Sequence, residues 1–255
     1  MIRIFVSLLL LVSLSACVTT TKSGNEVLKA PDLSEAAQLN LQLGVSYYQQ
    51  GSLQAAREKL EKAIEQKPDL AAAHRVLGLV YQQMGDLDEA EAEYREALNL
   101  SPKDPDTLND YAAFLCFERG KVRAGLKYFD DAIAIPLNDN RAMLFSNASN
   151  CAARKDLEKA EAYLRAGLSQ NPENILIMAQ LGDISYRQEQ YLQARIFIER
   201  AMQMSDAPSA SLLYLAAKTE DALGNMQDAR NYKDELMKTF PLSQEALAIQ
   251  EQDIR

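Results

Sequence analysis

Tryptophan is absent from this 255-residue chain, histidine occurs once, cysteine three times, and only 10 glycines and 8 prolines punctuate it. Each scarcity removes a class of function. His74 has no second histidine or cysteine at a metal-ligand spacing, which excludes the usual zinc sites and leaves it without a partner for acid–base work. The glycines are too dispersed to cradle a phosphate, and no Gly-x-Ser-x-Gly elbow occurs. Positive charge is short as well: 27 Lys and Arg face 36 Asp and Glu, a formal charge of −9. With no basic stripe and only scattered aromatics, the electrostatic footprint of a nucleic-acid binder is missing. The same balance opposes a folded domain lying flat on anionic lipid. Asp88 and Glu89, and Glu91 and Glu93, have Lys and Arg close by in sequence and read as solvated helix surface. Composition thus describes a protein that is not an enzyme, with no catalytic residues, no metal, no cofactor and no small-molecule substrate.

Long apolar runs are equally scarce. The run Ile4 to Leu14 is about half the roughly 20 residues that cross a bilayer, follows the single charge of Arg3, and leads through small residues to Cys17. That layout is a secretory signal. Leu14-Ser15-Ala16-Cys17 resembles the bacterial lipobox, which implies cleavage before Cys17 and lipidation of its thiol, with an ordinary signal peptide as the alternative. Several acyl chains, each buried methylene contributing about 0.8 kcal/mol, would hold the protein stably on a membrane. Val18 after the cysteine resembles the default sorting to the outer membrane of double-membraned bacteria. The expected location is therefore the outer membrane, lipid-anchored and facing the periplasm. The other two cysteines, Cys116 and Cys151, read first as a disulfide in such an oxidising compartment.

What the chain does have is a period of 34 residues. Leu43, Gly44, Tyr47, Ala56, Leu60, Ala63 and Pro68 match Leu77, Gly78, Tyr81, Ala90, Tyr94, Ala97 and Pro102, each shifted by 34. The pattern resembles the tetratricopeptide repeat and predicts an all-α, right-handed superhelix of six helix-turn-helix units. Gly44 and Ala56 are expected at a close helix approach, with Leu43, Tyr47 and Leu60 filling the space between helices. Gly51 and Gly85 suit left-handed turns, and Pro68 and Pro102 end the second helices. The expected organisation is a signal over 1–16, a lipidated terminus and flexible tether over 17–33, six units over 37–243 and a helical cap over 244–255. The units are 37–70, 71–104, 105–140, 141–174, 175–209 and 210–243. The third keeps Tyr111, Ala112, Leu115, Ala124, Tyr128 and Ala132, and places two surplus residues within 135–140. His74, at the fourth position of its unit, is expected to pack.

Repeat arrays bind partners on the concave face lined by first helices. The inward positions of the first two units include Leu41, Val45 and Tyr48, then Arg75, Leu79 and Gln82. They predict a largely apolar partner groove suited to an amphipathic helix; packing of Leu41, Val45 and Leu79 against residues 28–33 is the alternative.

Asn109 to Cys116, Tyr128 to Ile133, Asn147 to Cys151 and Ala160 to Leu164 resemble the third and fourth repeats of the type IV pilus pilotins, the PilF/PilW family. The resemblance implies an outer-membrane lipoprotein, a monomer, whose partners are subunits of the pilus secretin and whose role is to localise and assemble that pore. A general periplasmic scaffold for peptidoglycan enzymes or outer-membrane protein assembly is the other reading. Cys116 and Cys151 fall at nearly equivalent positions of consecutive first helices, which can bring Cα atoms within the roughly 4.4 to 6.8 Å of a disulfide. Free buried thiols are the alternative. The periplasm, and the resemblance to pilotins that pair cysteines at matching places, favour the bridge.

Overall fold

Thirteen helices and no strand make up the described residues of the computed structural model, which are 33–136 and 141–253. They alternate in hairpins: α1 (Leu33–Gln49) with α2 (Leu53–Gln66), α3 (Ala71–Met84) with α4 (Leu87–Leu100), and α5 (Pro105–Phe117) with α6 (Val122–Ile133). Then come α7 (Arg141–Ala152) with α8 (Leu157–Gln170), α9 (Ile175–Arg187) with α10 (Tyr191–Gln203), and α11 (Ala210–Ala222) with α12 (Met226–Thr239). Finally α13 (Gln244–Asp253) packs on both α11 and α12. Its Ala246 and Ile249 close a cluster with Leu213 and Leu236, which shields the apolar end of the array.

Odd-numbered helices touch the next odd-numbered helix all along the array, from α1 and α3 to α9 and α11, whereas the even-numbered helices α2 to α12 have no such contacts among themselves. A stack in which only one layer of helices is continuous must curve toward that layer, so the odd helices line the concave face. Each hairpin closes on a small residue. A side-chain carbon on Gly78 would sit 2.9 Å from the buried Tyr94 ring, and one on Gly44 would sit 2.6 Å from Leu60. Several helix starts carry local caps: the Asp104, Asp156, Asn174 and Ser209 side chains accept backbone N–H groups three residues on. Pro105 occupies the first turn of α5, where its missing N–H costs nothing.

Three expectations need correcting. In the third unit one surplus residue lies in the α5–α6 turn, where Gly120 is left-handed (φ 65°). The first turns of α6 therefore move on by one, so Gly125 and Phe129 are buried where Ala124 and Tyr128 were expected, while Ala132 is buried as expected. Leu43 is 36% exposed, although its repeat equivalent Leu77 is 2% exposed. Leu77 packs beneath Ala56 and Leu60 of α2, and no described helix precedes α1 to do the same. Glu91 is not solvated surface: it is 8% exposed and lies among Arg95 (2.7 Å), Arg119 (3.0 Å) and Lys121 (3.4 Å). Burial pushes its carboxyl upward, but these three cations together hold it below the usual carboxylate value. Glu91 thereby ties α4 to the following unit.

That tie recurs. The residue just after the small contact residue of a second helix is Glu91 on α4, Glu161 on α8 and Arg195 on α10. Glu161 takes Arg165 at 2.6 Å and the Gln193 amide of α10 at 3.4 Å. Arg195 grips Glu220 of α11, a 5% exposed carboxylate that also accepts from Asn225 at 2.8 Å. The sign of the charge changes between units while its bridging position does not.

Candidate partner-binding face

The six groove residues anticipated from the sequence are divided by the structure. Leu41 packs against Ala37, Ala63, Leu70 and Ala73, and Val45 against Ala56, Leu60, Val76, Leu77 and Val80, so both are half-buried joints between helices. Tyr48, Leu79 and Gln82 share one cavity of about 370 Å³ with Gln83 and Glu118. Arg75 is drawn into an ion pair with Asp110 at 2.8 Å. The concave face is therefore amphipathic rather than largely apolar, because α5 contributes Asp110 and the position just past its end contributes Glu118.

A chain of polar side chains follows from that pair. Asn109 donates to Asp110 at 3.2 Å and accepts from Asn147 of α7 at 2.9 Å. The Gln180 amide of α9 donates to Asn150 at 3.3 Å. Near the cavity, Tyr94 donates to Gln82 at 2.8 Å, and Gln82 donates to Glu118 at 3.3 Å. Burial raises the Asp110 carboxyl, and Arg75 opposes that rise. The Tyr48 hydroxyl is raised by burial and then by the charge of Asp110.

A second groove, of about 580 Å³, lies between α9 and α11. Leu176, 59% exposed, and Ala179 form its apolar side. Lys218 stands between two aromatic faces, its ammonium 4.7 Å from the Tyr186 centroid and 5.5 Å from that of Tyr214. Lysine against a ring face keeps its charge while its stem is covered. The Gln180 Oε1 atom is buried beside this groove with no donor. Sequence reasoning missed the groove, although it held the means to find it. Leu176, Ala179 and Asp183, like Ser211, Tyr214 and Lys218, stand at the second, fifth and ninth places of their units.

Cys116 and Cys151 form a disulfide joining α5 to α7, with Cα atoms 5.7 Å apart and both side chains fully buried. His74 is buried as well, with Nδ1 2.7 Å from Glu93 and Nε2 3.0 Å from the Pro68 carbonyl. The Glu93 hydrogen bond raises its pKa above the ordinary value, against the effect of burial. Cys17 lies outside the described residues. Among the described residues, no helix is long and apolar enough to cross a membrane, and no cluster of three or more metal-ligating side chains occurs.

Paired helices stacked with a 34-residue period, a small-residue contact in each pair and a lined concave face define a tetratricopeptide-repeat protein, and the chain belongs to that family. Family descriptions as TPR repeat and tetratricopeptide repeat match residues 44–85 and 71–104. Among particular relatives, the chain is homologous to type IV pilus assembly protein PilF of Pseudomonas aeruginosa, 27% identical over 245 residues and 96% of each chain. A Haemophilus influenzae protein of uncharacterised role is 32% identical over 138 residues, 54% of this chain and 73% of that one. Among solved structures, PilW, a widely conserved type IV pilus biogenesis factor, superimposes with TM-score 0.75 at 27% identity, over 84% of this chain and 97% of that one. The Pseudomonas aeruginosa pilF structure gives 0.71 at 26% identity, over 86% and 99%.

Proposed function

We propose that this protein is a pilotin: a lipoprotein of the outer membrane that acts in type IV pilus biogenesis by binding secretin subunits and promoting their localisation and multimer assembly. The observation that carries this reading is the similarity to PilF, 27% identical across 96% of both chains. The amphipathic concave face is compatible with it. A secretin subunit carries apolar membrane-inserting surface, which aggregates if left exposed. The two grooves of that face, one with Glu118 in its lining and Arg75 near by and the other with Lys218, can cover such a segment and fix its direction by charge. Lipid on Cys17 would hold that groove at the membrane where the subunit is needed.

Deletion of the gene, complemented with the wild type or with Cys17→Ala, tests the reading. Secretin multimers and surface pili are expected to fall together on deletion and to return only with the wild type, while Cys17→Ala yields folded protein lost from the outer membrane. Normal multimers and pili in the deletion strain would refute it.

A further inference from the structure

Away from the concave face, the third and fourth units enclose a cleft of about 910 Å³ between α6, the end of α7 and the start of α8. Val122, Leu126 and Ala152 give it an apolar floor. Its rim is cationic: Lys121, Arg123, Lys127, Lys155 and Lys159 all border it and all are exposed. The one carboxylate in the lining, Asp156, caps α8 by accepting the Lys159 backbone N–H at 2.8 Å. Lys121 reaches Glu91 at 3.4 Å, and the Lys159 ammonium lies 5.7 Å from the Tyr163 ring. Arg123, Lys127 and Lys155 have no ion pair among the described residues. In a chain of net charge −9, five cations round one apolar-floored cleft are a local reversal of sign.

We propose that this cleft docks an acidic amphipathic segment of a partner protein, its apolar side chains on the floor and its carboxylates on the rim. Charge complementarity selects the sign of the occupant, and the recessed floor selects its form. A flat lipid surface would meet the rim and leave Val122 and Leu126 uncovered. The cleft is also braced from behind. The Val122 carbonyl oxygen lies 3.8 Å from the sulfurs of both Cys116 and Cys151, and Ala152 follows Cys151 directly. The disulfide thus pins α5 to α7 directly behind the start of α6, which lowers the ordering cost of binding. The proposal concerns a surface remote from the concave groove and does not depend on the identity of the pilus partner.

The probe is a fluorescein-labelled helical peptide of glutamate and leucine at amphipathic spacing, titrated by anisotropy into the purified full chain, with a lysine–leucine peptide and phosphatidylglycerol vesicles alongside. The acidic peptide is expected to bind, to lose about tenfold in affinity between low and moderate salt, and to lose tenfold or more in Lys127→Glu/Lys159→Glu. Lys62→Glu/Lys238→Glu, which makes the same charge change at exposed sites elsewhere, should bind as the wild type does; circular dichroism confirms that both variants fold. Ala124→Asp, on the rim near the floor, should weaken binding without altering the fold. No binding of the acidic peptide, equal loss in both charge-reversal variants, binding of vesicles in its place, or self-association abolished by Lys127→Glu/Lys159→Glu would each overturn the proposal.

Discussion

Glycine and alanine exchange places once in this array. Gly44, Gly78 and Gly182 stand on first helices opposite Ala56, Ala90 and Ala194, but in the third unit Ala112 stands on the first helix and Gly125 on the second. A side-chain carbon on Gly125 would lie 2.7 Å from both the Ala112 carbonyl oxygen and the Cys116 sulfur. Neither atom can swing away, so Gly125→Ala is expected to cost about 2 kcal/mol or more through overpacking. Ala124→Leu, on the exposed side of α6, should stay within ~0.5 kcal/mol. Urea unfolding of the two variants decides between the repeat phase read from sequence and the one observed, and the reverse ranking would restore the former. Ala124-Gly125 and Tyr128-Phe129 each offer two acceptable residues side by side, so a one-residue shift leaves no trace in the pattern. Left-handed turns were more legible. Gly51 (φ 74°) and Gly85 (φ 88°) adopt them as their residue type suggests, but Glu189 (φ 62°) fills the same place in the fifth unit. A non-glycine residue there is disfavoured, so Glu189→Gly should raise stability by about 1 kcal/mol, measured as an increased urea midpoint; an unchanged or lower midpoint would show the turn to be relaxed.

Helices, by contrast, are specified redundantly, and their existence was legible throughout. First helices begin on Ala71, Pro105, Ile175 and Ala210, each fixed by a preceding turn and an apolar stripe at helical spacing. The ties between helices were hidden, since a buried ion pair and a solvated one look alike in sequence. Glu91 and Glu93 illustrate this: one bridges units, and the other holds His74. The His74 ring faces two acceptors, a carboxylate and a carbonyl oxygen, and both are satisfied only when both ring nitrogens carry protons. Its pKa is raised above the unfolded value of 6.5 by the Glu93 hydrogen bond. The resulting stabilisation is therefore complete below pH 6.5 and is lost as pH rises through the higher folded-state value. The stability difference between wild type and His74→Gln should be largest near pH 5.5 and shrink steadily above neutrality. A difference independent of pH would show that the imidazole acts by shape alone.

For the whole molecule, curvature turns these local choices into one continuous lined face. Because only the odd helices form a continuous layer, their inward positions converge on a concave face, and the sequence located the first part of it at Tyr48, Leu79 and Gln82. Its polarity was not legible, because Asp110 and Glu118 come from the next unit, 35 and 36 residues from Arg75 and Gln82, the residues they meet. The groove by Lys218 was legible in principle, since its residues stand at the inward positions of the fifth and sixth units. The central claim is that this surface serves pilus secretin assembly, and co-purification tests it most directly. Tagged protein extracted from outer membranes in mild detergent should bring down secretin subunits, and should bring down far fewer when Tyr48 and Lys218 are both replaced by Glu in a chain that keeps its helical circular dichroism. Recovery of cell-wall hydrolases or barrel-assembly proteins with no secretin would contradict the account.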